Sequence, residues 1–248
     1  KTGLVFLARD VMGVKPLFYR NDEYGVFFAN SASAFKPLLL GKLTPSKEWM
    51  ARFILENSYQ HTDTAYEEMK KLPGAHSLLI HADGRMNLRR YHQFVDDAPV
   101  ETKRNQHWLE AYQAVWQEAV ACRMPATGMI GTENSGGLDS GSITAEIARV
   151  LGEKQIAQRL FGFGFAYDVL EPEYIMEVAR HCKIANTFLV AGSEVEPDEG
   201  WSQFELAITG FPNEHPNGTS HTAFYRECRL HHINTLFSGF GGDEATTL

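Results

Sequence analysis

Two patterns of apolar and polar residues divide the chain near residue 95. Before it, apolar residues come in short strand-like runs at 4–8, 16–20 and 25–29, separated by turn residues such as Asn21-Asp22. Residues 49–56 read as a helix. The runs 77–80 and 86–91 flank Asp83-Gly84, a dipeptide that suits the positive φ angles of a tight hairpin. Together these predict the end of one mixed α+β domain over residues 1–95.

The polar, aperiodic stretch Val95-Asp96-Asp97-Ala98-Pro99 reads as a linker. Beyond it helices and strands alternate, so 96–248 is read as a second domain. Residues 108–122 carry Leu109, Tyr112, Val115, Trp116 and Ala119 at helical spacing. A strand at 128–132, a helix at 140–151 closed by Gly152, a strand at 160–165 and a helix at 172–182 opening on Pro172 follow. A strand at 187–190, a helix at 222–231 and a strand at 235–238 complete the series. Strands separated by helices predict an α/β fold with a doubly wound parallel sheet, which binds ligands at the carboxyl ends of its strands. The alternation of Phe161, Phe163 and Phe165 reads as strand packing.

Composition narrows the partners. With 248 residues, 44% hydrophobic and 22% charged, the chain has the make-up of an ordinary globular protein. A net charge of −8 with scattered basic residues excludes a broad nucleic-acid footprint. No run of about 18 apolar residues is present, so no membrane span is expected and a cytoplasmic setting is the default. Cys122, Cys182 and Cys228 lack Cys-x-x-Cys spacing and read as free thiols. Opening on Lys1 with an interior-like strand, and closing just past a glycine-rich turn, the chain reads as a fragment of a longer enzyme.

The chemistry concentrates in two glycine-rich turns, each predicted to follow a strand. The first is Glu133-Asn134-Ser135-Gly136-Gly137-Leu138-Asp139-Ser140, and the second is Ser238-Gly239-Phe240-Gly241-Gly242-Asp243-Glu244. Gly136 and Gly137 let backbone approach a ligand, the following helix start offers free N–H groups, and Ser135 and Ser140 add hydroxyls: an anion site. No Gly-Lys-Ser/Thr is present, so this is not a lysine-bearing phosphate loop. An aspartate at that point would repel phosphate unless a cation lay between them, so Asp139 implies magnesium (Mg2+), with Asp243 as the second carboxylate. Taken alone, Asp139 could equally be a helix-start residue.

Ser-Gly-Gly-Leu-Asp-Ser at 135–140 resembles the pyrophosphate loop of the ATP-pyrophosphatase group, and Ser-Gly-Phe-Gly-Gly-Asp-Glu at 238–244 is similar to the second motif of the asparagine synthetase family. The run from Ala8 to Tyr19, then Phe28-Ala29-Asn30-Ser31, resembles closing strands of that family's class II glutaminase domain, and Leu72-Pro73-Gly74-Ala75-His76 imperfectly resembles its Leu-Pro-Pro-Gly-His turn. The resemblance implies ATP bound by Asn134, Ser135, Gly136, Gly137, Leu138, Asp139 and Ser140, by backbone at Gly162 and Phe163, and by Ser238 and Gly239. It implies magnesium held by Asp139 and Asp243, the catalytic pair, with Phe240 and Glu244 on the substrate side. The implied reaction makes a carboxyl adenylate that an amine attacks, giving an amide, AMP and pyrophosphate. The implied partners are a small-molecule or peptide carboxylate and an amine donor such as glutamine-derived ammonia, and a homo-oligomer is compatible with the family.

Three departures bear on that transfer. The family's glutaminase cysteine would lie upstream of Lys1, and an acidic residue and a lysine of the amide-forming step would lie beyond Leu248. Phe240 stands where asparagine synthetases usually carry Glu and β-lactam-forming relatives Tyr. The readings are therefore asparagine biosynthesis, a peptide-cyclising (lasso-type) or β-lactam-type synthetase, or a nucleotide-binding regulatory relative without catalysis. Glu171 and Glu173 suit the dipole of a helix start, and His215, His231 and His232 lack metal-binding spacing.

Overall fold

A computed structural model of the chain describes residues 3–35, 37, 43–55, 62–93, 106–166, 169–191, 206 and 222–242. The expected linker at 95–99, Asp243, Glu244 and His215 lie outside the described residues. The described elements fall into two compact units.

The first unit holds β1 (Val5–Ala8), β2 (Phe18–Asp22), β3 (Gly25–Ala29), α1 (Lys47–Ile54), β4 (Lys70–Lys71), β5 (His76–Ile80) and β6 (Met86–Arg90). Its strands form two antiparallel sheets of order β1-β5-β6 and β3-β2-β4. The β5–β6 hairpin turns around Asp83-Gly84 as expected. The expected turn at Asn21-Asp22 is displaced. Both residues belong to β2, pairing with Val26 and Gly25, and the chain reverses at Glu23-Tyr24, where the Asp22 carboxylate accepts the Tyr24 N–H at 2.9 Å. Helix α1 begins ahead of the apolar pattern because Ser46 caps it, its hydroxyl accepting the Trp49 N–H at 3.2 Å. Trp49 then packs with Phe18, Phe35 and Met69, while Leu7, Leu72, Leu78 and Ile80 form a second apolar cluster.

The second unit holds α2 (Gln106–Ala121), β7 (Met129–Glu133), α3 (Leu138–Leu151), α4 (Glu153–Arg159), β8 (Leu160–Ala166), α5 (Glu171–His181), β9 (Asn186–Ala191), α6 (Thr222–Leu230) and β10 (Ile233–Phe237). Its four strands are all parallel, in the order β10-β7-β8-β9. The molecule is thus α/β, with antiparallel sheets in one unit and a parallel sheet in the other. The chain adds β8 and β9 on one side of β7, then returns to place β10 on the other. The crevice at the carboxyl ends of β7 and β10 is therefore the switch point where such sheets bind ligands.

Strand β8 shows why both faces of this sheet are covered. Phe161, Phe163 and Phe165 project to one face and meet Phe188 and Phe224, with Phe163 at 5.4 Å from each ring and Phe165 at 4.2 Å from Phe224. The other face packs Ile130 and Leu160 against Val120, Ile147, Ile156 and Ala179 from α2, α3, α4 and α5. Two boundaries differ from the sequence pattern. Gly152, at φ 68°, ends α3 and its carbonyl at once accepts the Gln155 N–H at 3.1 Å, starting the unanticipated helix α4. His232, at φ 55°, closes α6 abruptly, so β10 begins at Ile233. Among the described residues no helix is long and apolar enough to cross a membrane.

All three cysteines are free; Cys122 is exposed, Cys182 and Cys228 buried. Burial, then the negative charges of Glu133 and Glu227, push the Cys228 thiol up to about 11, and burial raises Cys182. A thiol reagent at pH 8 is expected to titrate Cys122 in the folded protein and all three in urea. Because the folded Cys228 holds its proton longer than the ordinary value of 9.0 allows, its contribution to stability is intact below that pH and is lost as pH rises towards about 11. Urea midpoints across this range test the sign, which Cys228→Ala should remove.

Candidate functional site

The turn after β7 is built from a buried asparagine outward. Asn134 is 2% exposed, and its backbone N–H donates to the Phe163 carbonyl at 2.7 Å, Nδ2 to the Ile175 carbonyl at 3.0 Å, and Oδ1 accepts the Gly136 N–H at 2.9 Å. It thus ties the end of β7 to β8 and to α5. Gly136, at φ 78°, then passes so close to α5 that a Cβ there would lie 2.4 Å from the Tyr174 Cβ. No residue with a side chain fits. The serines close the turn: the Ser135 N–H donates to Ser140 Oγ at 3.1 Å, the two hydroxyls lie 3.0 Å apart, and Ser135 Oγ accepts the Gly137 N–H at 3.3 Å.

Helix α3 starts two residues earlier than its apolar pattern suggests, with Gly137 as N-cap and no side chain capping it. The amides of Leu138, Asp139 and Ser140 therefore begin the helix without carbonyl partners inside it. Asp139 lies within the first turn rather than in the loop, and its backbone carbonyl accepts the Ser142 hydroxyl at 2.9 Å. Leu138 contributes backbone only, since its side chain is 91% exposed.

The second turn meets the first through two glycines. A Cβ on Gly239 would lie 2.7 Å from the Ser140 backbone nitrogen, and one on Gly242 would lie 2.5 Å from both Cγ and Oδ2 of Asp139. Register places Phe237 of β10 beside Thr132 of β7, so the two turns leave neighbouring strands at one level. Ser238 accepts the Phe240 N–H at 3.1 Å, and the Phe240 side chain is 72% exposed. Gly162 lies on β8 beside Thr132, one residue before Phe163, whose fully buried ring packs on the α6 face.

The arrangement joins uncapped amides, two serine hydroxyls and one carboxylate. The amides suit phosphate oxygens, and the carboxylate beside them suits a hard cation shared with such a ligand. Among the described residues there is no group of three or more His, Cys, Asp or Glu able to hold a metal ion, and Asp139 is the carboxylate that meets the second turn. Glu171 and Glu173 sit in the first turn of α5. His231 packs at a tilt against Phe161 and Phe188 and lies 3.5 Å from Glu227.

The sequence pattern does not expose the contribution of α5. Tyr174 and Ile175 lie about forty residues from the loop they hold, and only the unusual Asn at the end of a buried strand hinted at a polar anchor. The hydroxyl pair Thr132 and Thr144, 2.8 Å apart and fully buried beneath the loop, was likewise unmarked.

A glycine-rich turn between a parallel strand and an uncapped helix, at a switch point, is the arrangement with which α/β units bind anions. Residues 111–247 match the family model for asparagine synthase, and residues 1–92 that for a glutamine amidotransferase domain. The chain belongs to the asparagine synthase family. It is 23% identical over 97% of its length to asparagine synthetase [glutamine-hydrolyzing] 1 of Bacillus subtilis, and 28% identical over 68% to asparagine synthetase [glutamine-hydrolyzing] 3 of the same organism. It spans 37% and 27% of the lengths of these relatives. A glutamine-dependent NAD+ synthetase from Acinetobacter baumannii, solved with ADP, aligns over 82% of this chain and 44% of its own, at 14% identity and a TM-score of 0.37.

Asn134→Leu keeps the volume near Ile175 and deletes both side-chain hydrogen bonds, leaving a buried carbonyl and an amide without their partner. A loss of about 1–3 kcal/mol in urea unfolding is expected. A variant as stable as the parent would show that the asparagine does not anchor the turn.

Proposed function

We propose that the second unit is the nucleotide-binding part of an ATP-dependent, AMP-forming amide ligase, and that the first belongs to a glutaminase-like domain supplying ammonia from glutamine. The observation that carries this reading is the convergence of the two glycine-rich turns, with Gly239 against Ser140 and Gly242 against Asp139. The division at residue 95 and the cytoplasmic setting stay part of it.

In this reading the first-turn amides of α3, with the hydroxyls of Ser135 and Ser140, bind phosphate oxygens. Backbone at Gly162 and Phe163, with Ser238 and Gly239, orients the nucleoside. Asp139 and Asp243, which follows Gly242 directly in sequence, would hold magnesium, and Glu244, next in sequence, is assigned to the substrate side. Magnesium, when bound, offsets the charge developing on the departing pyrophosphate. A carboxylate substrate attacks the α-phosphorus, pyrophosphate leaves, and the resulting adenylate is opened by an amine to give the amide and AMP. The amides are fixed before reaction begins, so they stabilise the leaving group without reorganising.

The expected products of turnover are AMP and pyrophosphate, separable from ADP and phosphate by ion-exchange chromatography; stoichiometric ADP would refute the assignment. ATP–pyrophosphate exchange distinguishes a ligase from a regulatory nucleotide binder, which gives none. Asp139→Ala and Asp243→Ala should each lower magnesium-dependent turnover by about 100-fold or more while retaining the circular dichroism of the parent. Activity within a few-fold of the parent would mean that the two turns share no metal.

Phe240 favours a second reading of the product. Its exposed ring sits on the turn that touches Asp139, and a phenyl group neither takes a proton nor offers an ammonium ion the hydrogen-bond acceptor that a carboxylate does. Such a ring suits a larger or less polar acyl group, as in a β-lactam-type or peptide-cyclising synthetase. Weak or no asparagine formation from aspartate is expected by amino-acid analysis; robust ATP-dependent formation restores the plain asparagine synthetase reading.

A further inference from the structure

We propose that Thr132 and Thr144 are positioning residues for the anion loop, forming a buried, one-way hydroxyl chain that fixes the end of β7 against the first turn of α3. The inference rests on the reading of that loop as a polyphosphate site. Both threonines are fully buried, one near the end of β7 and the other in the second turn of α3. Their Oγ1 atoms lie 2.8 Å apart, and Thr144 Oγ1 is also 2.8 Å from the Ser140 carbonyl oxygen.

The direction of the chain follows from the proton count. A carbonyl oxygen only accepts, so the single Thr144 proton goes to Ser140, and the contact with Thr132 must be made by the Thr132 proton. The order is therefore Thr132 to Thr144 to Ser140. Ser140 in turn carries the loop above it, since its Oγ accepts the Ser135 N–H and meets the Ser135 hydroxyl. Its backbone nitrogen is also the point against which Gly239 rests. One residue thus receives the chain from below, holds the first turn of the site and supports the second.

Packing alone gives no reason for hydroxyls at these two positions. They lie on the sheet face filled by Ile130, Leu160 and Ile147, where a methyl group would serve. A buried hydrogen-bonded pair has directional geometry that an apolar pair lacks, and the surrounding low dielectric strengthens it. The amides of an anion site need that constraint, because their contribution depends on being aimed before the ligand arrives.

Three variants test the role. Thr144→Val breaks the chain and strands the Thr132 hydroxyl, Thr144→Ser retains it, and Thr132→Val with Thr144→Val removes the pair without leaving an orphan. Calorimetric titration with inorganic pyrophosphate and with magnesium-ATP is expected to show binding about 10-fold weaker for Thr144→Val and restored for Thr144→Ser. The double variant should regain the urea stability of the parent and still bind weakly, a split that a merely structural role does not produce. Parent-like binding by the double variant overturns the proposal. Amide hydrogen exchange over residues 135–141 without ligand is expected to quicken in both valine variants. If the parent takes up no polyphosphate, the nucleotide reading fails by itself, and unchanged exchange in the variants then separately overturns the positioning role.

Discussion

The site depends on a close approach of backbone to backbone. Two strands of a parallel sheet lie side by side anyway, but the turns that leave them come into contact because Gly239 and Gly242 have nothing to place between themselves and the first turn of α3. The rest of the arrangement follows from that contact. Helix α3 must start early, so that Asp139 lies in its first turn, and Gly137 must leave the helix end uncapped, so that its amides stay open. Asn134 then fixes the point at which the chain leaves β7, by bonding to β8, α5 and the loop together.

Much of this was legible because two glycine-rich turns, each carrying an aspartate, follow two strands of one α/β pattern, a coincidence that ordinary turn chemistry at a single site such as Asp83-Gly84 does not produce. The alternation of Phe161, Phe163 and Phe165 gave β8 and its packed face, and the switch from short strand runs to alternating helices gave the parallel sheet. What escaped was of two kinds. Helix α4 and the turn at Glu23-Tyr24 depend on how a glycine or an aspartate is used, and a single chain of letters does not state which of its allowed conformations Gly152 takes. Tyr174, Ile175, Thr132 and Thr144 act through tertiary contacts, where local periodicity carries no information. Threonine suits a strand and valine would too, so nothing in the pattern separates a packed methyl from a bonded hydroxyl.

The electrostatic design is economical in cations. A lysine-bearing phosphate loop neutralises its ligand from within the protein, whereas this turn brings a negative charge to a negative ligand. In the proposed reading the loop would discriminate by requirement: an anion arriving alone would meet Asp139, and one arriving with a divalent cation would bring that carboxylate a partner. The serines and amides add hydrogen bonds that carry no full charge of their own, so in that reading the balance of attraction and repulsion would rest with the cation.

Phe163 serves two compartments at once. Its ring is set by stacking with Phe188 and Phe224 on one face of the sheet, while its carbonyl lies in the sheet plane and receives the Asn134 N–H that begins the loop. A side chain chosen for how it fills an oily layer therefore sets the height at which a polar loop is suspended. Two structural demands thus meet in one residue. A change in the apolar layer around α6 that shifts Phe163 would therefore be felt beyond that layer, in the loop at the strand ends.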